Sequence, residues 1–495
     1  MVILAGASVR SLAQSVIRSG RLPIGIDLFC DRDLKAVIHQ AWEGVSTDHT
    51  GGGDRTPFIR NHSRVISHFD QLPAICEDIP RSIPVIWCGG LENHLSILAQ
   101  LATQRIVLGP SVPLIRELRS RSFLHRLARD AGIHFPLTIA SPGGDADDDA
   151  GTSQTPPDQV LWIRKPLHSS GGLGIEFASQ PVLVETRDSE VPISGSEPDN
   201  VNDQSHVTSH VKRPATPRPA TPTGSGGQPS HVLQQYVDGV PVSATIVSDG
   251  VNAAVIGCTL QFSGLTSVNA TGFQYCGNIG PVSLPAVQMA RIQKVASTLV
   301  QQTGVRGFLG LDFVLQRGNL WLLEINPRIT ASHETLEASQ RLNVADMHID
   351  AMDGILRADC QAPVRTGPPL LKLIIYADRE THIEGSSDEW CRSALQKHME
   401  NQARNAPAVA SASTKTSVAD LPETGTVVAA GTPFCTLLIP CPEIQDRLPP
   451  MDSVRTGIES VLLDRRFPVR IEVDDVVLEI TERIGKSDSD VNCCP

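Results

Sequence analysis

Residues 310–328 read Gly-Leu-Asp-Phe-Val-Leu-Gln-Arg-Gly-Asn-Leu-Trp-Leu-Leu-Glu-Ile-Asn-Pro-Arg. The pattern predicts two β-strands, Leu311–Leu315 and Leu320–Ile325, joined by a turn at Arg317-Gly318-Asn319. Glu324 and Asn326 stand two apart, so one strand face carries both side chains. Asp312 on the partner strand can meet them across the hairpin. Two carboxylates and a carboxamide form a set of hard oxygen ligands suited to Mg²⁺, or Mn²⁺, held against a polyphosphate. Arg328 adds a planar fork of donors that matches phosphate geometry.

A second constellation lies upstream. Val160–Pro166 predicts a strand ending in the basic pair Arg164-Lys165, followed by Ser169-Ser170-Gly171-Gly172-Leu173-Gly174-Ile175. Lys165 offers a point charge and the Ser/Gly loop offers backbone N–H groups unobstructed by Cβ atoms, two ways of holding phosphates. The lysine precedes the glycines, so this is no Walker A sequence. With the 310–328 hairpin, that order resembles the ATP-grasp superfamily. Its last metal-binding strand carries Glu-x-Asn, with a further ligand about a dozen residues upstream; the spacing from Asp312 to Glu324 is twelve.

The resemblance implies the ATP-grasp fold, α/β throughout: a Rossmann-like domain over 1–110, an ATP-grasp domain over 111–360 and a small β-rich domain over 366–485. It also implies Mg²⁺ on Asp312, Glu324 and Asn326, with ATP phosphates against Lys165, Ser169, Ser170, Gly171 and Gly172. Adenine would lie along the hinge Gln234-Gln235-Tyr236-Val237, where Gln234 stands in place of the glutamate of many relatives. The ribose-binding acid of relatives is Pro241 here, a second departure. Arg121, eleven residues before Gly132, matches a phosphate-contacting basic residue, although it also fits a solvated basic helix face. Lys165 and Arg328 would neutralise charge developing during catalysis.

The implied reaction joins a carboxylate to an amine through an acyl phosphate. The 324–334 turn, with Ile329-Thr330-Ala331-Ser332-His333-Glu334, and the glycine-punctuated segment 420–438 narrow the resemblance toward ligases of tetrahydromethanopterin- and methanofuran-linked one-carbon metabolism, such as tyramine–glutamate ligases. Thr330 and Ser332 could bind the acceptor carboxylate or the transferring phosphoryl group. His333 could deprotonate the amine, its reference pKa lying near working pH. A helix N-cap role for Ser332 fits the same residues.

The N-terminus predicts a βαβ unit: strand Val2–Ala5, a Gly6-Ala7-Ser8 turn, helix Val9–Arg18 and strand Pro23–Leu28. Only Gly6 of a dinucleotide glycine triplet is present, so a structural half-Rossmann unit is the better reading. Strands at Pro84–Cys88 and Arg105–Leu108 complete a parallel sheet. The first runs into a polar loop in which Glu92 and His94 are substrate-contact candidates, with helix capping an equal alternative. One long helix is expected over Val112–Ala131, closed by Gly132. Residues 141–158 and 185–229 are rich in Pro, Ser, Thr, Gly and Asp and predict disordered insertions.

A chain of 495 residues is long enough for about three domains. Aromatics at 4% and a net charge of −12 argue against a nucleic-acid or membrane-surface partner, leaving small-molecule carboxylates and amines. A homodimer is a possible assembly on this resemblance. Eleven cysteines without zinc spacing fit reduced thiols, and no basic leader or long apolar run is seen, so a cytoplasmic location is expected.

Overall fold

The computed structural model describes residues 1–47, 62–140, 160–178, 231–361, 363–404, 416–441, 455–456, 459 and 467–491. Both predicted insertions, 141–158 and 185–229, lie outside them.

Strands β1 (Val2–Gly6), β2 (Pro23–Asp27), β3 (Ser63–Val65), β4 (Val85–Trp87) and β5 (Val107–Leu108) form a parallel sheet in the order β3-β2-β1-β4-β5. β1 and β2 are buried along their whole length, as a sheet covered on both faces requires. The sequence reading found four of these strands. It missed β3, whose Ser-Arg-Val has no apolar run, and the helix Arg32–Thr47.

A four-stranded sheet follows, built from β6 (Thr138–Ala140), β7 (Trp162–Pro166), β8 (Glu176–Phe177) and β9 (His231–Gln235) in the order β6-β9-β7-β8. The expected helix over 112–131 is two helices, Val112–Arg119 and Arg121–Ala131. Ser120 breaks it: its backbone is extended (ψ 143°), and its hydroxyl accepts from the Phe123 N–H to cap the second helix. Gly132 closes that helix in the left-handed region (φ 75°).

The main sheet contains β10 (Val240–Asp249), β11 (Ala253–Ser263), β12 (Tyr275–Val282), β13 (Arg306–Gln316), β14 (Asn319–Asn326) and β15 (Leu370–Tyr376). A short ribbon pairs β16 (Thr381–His382) with β18 (Val427–Val428). Strands β17 (Ser417–Ala419) and β19 (Pro433–Pro440) rejoin the main sheet, whose order is β14-β13-β10-β11-β12-β15-β19-β17. Most of the C-terminal strands therefore extend the central sheet, pairing with it through β12 and β15. The β-branched run 469–480 predicts a strand, but its residues 473–480 lie in the helix Val473–Val491. Val476 and Ile480, one turn apart, are buried, and this helical spacing explains the difference.

Apolar side chains join these layers. Leu4, Leu12 and Val16 of the first sheet and its helix share a core with Val247, Ile256, Phe308 and Leu336 of the main sheet region. Helices 121–131 and 286–303 cover the other side through Leu127, Ile292 and Leu299 against Leu311, Phe313 and Leu322. All nine cysteines among the described residues are buried and free.

Candidate active site

The 310–328 hairpin forms as the sequence predicts, with Arg317 (φ 47°) and Gly318 (φ 74°) at its turn. Strict alternation along β14 would place Leu320, Leu322, Glu324 and Asn326 on one face. The register shifts after the Phe313–Leu322 pair, so Asp312 faces Glu324 and Leu323 is the extra residue. This bulge leaves Leu320, Leu322 and Ile325 in the core and puts both polar side chains on the opposite face.

On that face the Asn326 amide donates to Asp312 Oδ2 at 2.7 Å and lies 3.5 Å from Glu324 Oε1. Gln261 Nε2 donates to Asp312 Oδ1 at 3.1 Å. Lys165, leaving β7 of the small sheet, reaches across to Glu324 Oε2 at 2.7 Å. That ammonium holds the Glu324 carboxyl down at about 2. The Glu324 side chain is 42% exposed, so it lines an open cleft between the two sheets. Asp312 behaves oppositely. Burial first, then the Glu324 charge, pushes its carboxyl up to about 6.

Two carboxylates and an amide that repel and burden one another in this way fit a divalent cation, which would relieve both effects. Among the described residues no group of three or more His, Cys, Asp and Glu is arranged to hold a metal, so the hairpin's own two acids and amide are the set it offers.

Arg328 continues the face. Its Nη2 donates to Glu92 Oε1 at 2.7 Å and to Asn326 Oδ1 at 3.3 Å, while its Nε is buried without a partner. Burial acts to lower its pKa, but Glu92 beyond it gives a net rise. Glu92 caps neither neighbouring helix; it holds Arg328, and its Oε2 accepts from the Gly90 N–H at 2.7 Å within its own loop. His94 is exposed and packs its ring 5.0 Å from that of Phe69, with no bond to this group.

The Ser/Gly loop is folded down on the main sheet. Tyr275 N–H donates to Gly171 O at 2.8 Å, and a Cβ on Gly172 would lie 1.9 Å from Phe273 O. Ser169 Oγ donates to Leu173 O at 2.8 Å; Ser170 is half-buried beside it. On the hinge, Gln234 is buried and donates to Thr138 Oγ1 at 3.2 Å. Gln235 N–H and Tyr236 N–H donate to Leu137 O and Leu161 O, whereas Val237 N–H has no partner among the described residues. Arg121, half-buried, opens its helix. Its neighbour Arg119 is the residue that turns inward, donating to Glu92 O at 2.6 Å and Asn93 Oδ1 at 3.0 Å, and its charge helps lower Glu324.

Beyond Arg328, Ser332 occupies the helix N-cap position but makes no capping bond. Its hydroxyl instead bonds Thr259 Oγ1 at 3.3 Å and Asn278 Nδ2 at 3.2 Å. Thr330 Oγ1 is buried without a partner. His333 is buried, its Nδ1 2.7 Å from Thr330 O, and burial lowers its pKa.

The sequence reading missed Ser243, Thr259, Gln261, Asn278 and Arg119. Strand registers line up Glu324, Asp312, Ser243 and Thr259 across four strands, and Gln261, Asn278 and Lys372 across three. The usable signal was Thr259 and Gln261 alternating with apolar residues.

The chain has the ATP-grasp fold and carries an ATP-grasp domain: the ATP-grasp domain family matches residues 213–332. It is 24% identical over 339 residues to a carbamoyl phosphate synthase large chain of Thermomicrobium roseum, covering 63% of this chain but only 27% of that one. Biotin carboxylase from Campylobacter jejuni superposes with a TM-score of 0.57 at 12% identity, covering 97% of this chain and 95% of that one. L-amino acid ligase from Bacillus licheniformis gives 0.51 at 12% identity, covering 94% and 98%. No helix among the described residues is long and apolar enough to cross a membrane.

Proposed function

We propose that this chain is an ATP- and Mg²⁺-dependent ligase that joins a carboxylate to an amine through an acyl phosphate. The observation that carries this is the Lys165–Glu324 pair spanning the cleft, with Asp312 and Asn326 on the same face. Asp312, Glu324 and Asn326 would hold the metal, which would supply positive charge against the nucleotide phosphates. Lys165 would exchange Glu324 for phosphate oxygens, and the Ser169–Gly172 loop would cover them. Val237 N–H, without a partner among the described residues, would be a hinge donor for an adenine ring edge. Arg328, fixed by Glu92, is a preset cation for the transferring phosphoryl group or the substrate carboxylate. Arg121 remains a proposed phosphate contact.

The superposed proteins include both a biotin carboxylase and an L-amino acid ligase, and the shared fold is common to both activities. Among the described residues of this face no Ser or Cys nucleophile is paired with a His base, which favours direct phosphoryl transfer to an oxygen of the substrate. The narrower reading, a tyramine–glutamate ligase of one-carbon cofactor synthesis, rests on the 324–334 turn and the 420–438 segment; none of the relatives named above is of that kind. A cytoplasmic location and small-molecule partners accompany this proposal.

ADP release from ATP and Mg²⁺ against a panel of glutamate, tyrosine, tyramine and bicarbonate tests it. Release that requires a carboxylate and an amine is expected. Tight Mg-ATP binding with no release across the panel would overturn the reading.

A further inference from the structure

Arg10, only 1% exposed, meets carboxylates from three parts of the chain. Its Nε lies 2.7 Å from Asp420 Oδ1 and 3.4 Å from Asp33 Oδ2, and its Nη2 lies 2.7 Å from Glu334 Oε1. Glu334 Oε2 receives Lys372 Nζ of β15 at 2.7 Å. The joint is reinforced by backbone: Asp420 N–H and Leu421 N–H donate to Asp33 at 2.9 and 3.0 Å. Glu334 is therefore gripped from one side by the N-terminal helix and from the other by a C-terminal strand. Burial acts to raise its pKa, yet Arg10 and Lys372 hold it well below the usual carboxylate range. Removing one partner of such a buried pair leaves an uncompensated charge, so the grip is strong.

Glu334 directly follows the turn of the candidate site. Around that turn Thr330 Oγ1, His333 Nε2, Asn278 Oδ1 and Arg328 Nε are all buried without a hydrogen-bond partner. With His333 Nδ1–H donating to Thr330 O, its Nε2 presents a lone pair. Buried polar atoms left unpaired are costly, and several around one turn mark a place that a polar ligand completes.

We infer that Arg10 and Lys372 are positioning residues: by fixing Glu334 from two sides they hold the Thr330–His333 turn in place to receive the amine. The inference rests on the ligase reading for the identity of the ligand, but not for the clamp itself.

Lys372→Met in the full chain tests it, with Mg-ATP, glutamate and hydroxylamine as the probe reaction. Hydrogen exchange at amides 331–336 should quicken about tenfold or more, since the turn loses one of its two anchors. KM for hydroxylamine should rise about tenfold while KM for ATP stays within about twofold, a split that general loosening of the fold would not give. Lys372→Arg should restore both. Should Lys372→Met fail to fold, Glu334→Gln keeps the volume, leaves Arg10 with Asp33 and Asp420, and should give the same pattern. Unchanged exchange at 331–336, faster exchange confined to 370–376, or a parallel rise in KM for ATP would overturn the clamp. If the wild type shows no turnover, the ligase reading fails, and the exchange pattern still decides for or against the clamp.

Discussion

Asp312 and Glu324 are neighbours with opposite electrostatics, and each makes a prediction. Glu324 is paired with Lys165, and Asn326 bonds Asp312 on an already polar face. Glu324→Gln and Asn326→Ala should therefore leave the fold intact and cut Mg²⁺-dependent ADP formation by about 10²–10⁴. Near-normal turnover in Glu324→Gln would rule out this site. Asp312 titrates at about 6, above its ordinary value. Its raised pKa means that the neutral form is favoured in the fold: that contribution to stability is full below about 4 and is lost as pH rises through about 6. A metal needs the ionised form. Mn²⁺ affinity should accordingly climb about tenfold per pH unit up to about 6, then level off. Asp312→Asn should weaken binding and flatten the profile. Calorimetry that finds equal affinity at pH 5 and 7 in the wild type would dismiss Asp312 as a ligand.

At the scale of the element, the hairpin was legible because its turn residues and its apolar alternation agree. Its bulge was not legible. Parity alone sends Glu324 to the same face as Leu322, and only the partner register shows that Leu323 is the extra residue. The polar rows across the main sheet were hidden for a related reason. Ser243, Asn278 and Lys372 lie far apart in sequence and meet only once strands pair. Ser120 shows the converse, a local capping signal overridden in the reading by the long helical periodicity around it. The glycine loop was legible as chemistry, and the structure adds a distinction within it. Gly171 has open space around its Cβ position, while Gly172 is pressed against the Phe273 carbonyl; both have φ near +70°. Gly171→Ala should cost only the conformational penalty, roughly 1–2 kcal/mol locally. Gly172→Ala should in addition push the loop off Phe273. We expect ATP affinity to fall about tenfold more in Gly172→Ala than in Gly171→Ala, with melting temperatures alike because the loop is at the surface. Equal affinities in the two variants would show that the docked loop has no part in nucleotide binding.

Over the whole molecule, three sheets bring their separate contributions to one cleft. The parallel sheet ends in the Glu92 loop, the small sheet sends Lys165, and the main sheet carries Asp312, Glu324, Asn326 and Arg328. Lys165 and the Ser169–Gly172 loop belong to the small-sheet segment, while Arg328 and the 330–333 turn are held by the buried Glu92 and Glu334 pairs. On the proposed reading the two kinds of group would meet nucleotide and second substrate from opposite sides of the cleft. It bears directly on reaction class. On the proposed reading, a carboxylate activated in this cleft would become an acyl phosphate, and a small strong nucleophile should intercept it. With glutamate, ATP and Mg²⁺, hydroxylamine should yield glutamyl hydroxamate in proportion to ADP, read by the colour of its ferric complex. Arg328→Met should abolish hydroxamate formation, because the cation facing the developing charge is lost, at a cost of about 10²–10³ in rate. ATP turnover stimulated by bicarbonate, with no hydroxamate from glutamate or tyrosine, would instead assign the cleft to carboxylation. Arg328 would then serve a bicarbonate oxygen in place of an amino-acid carboxylate.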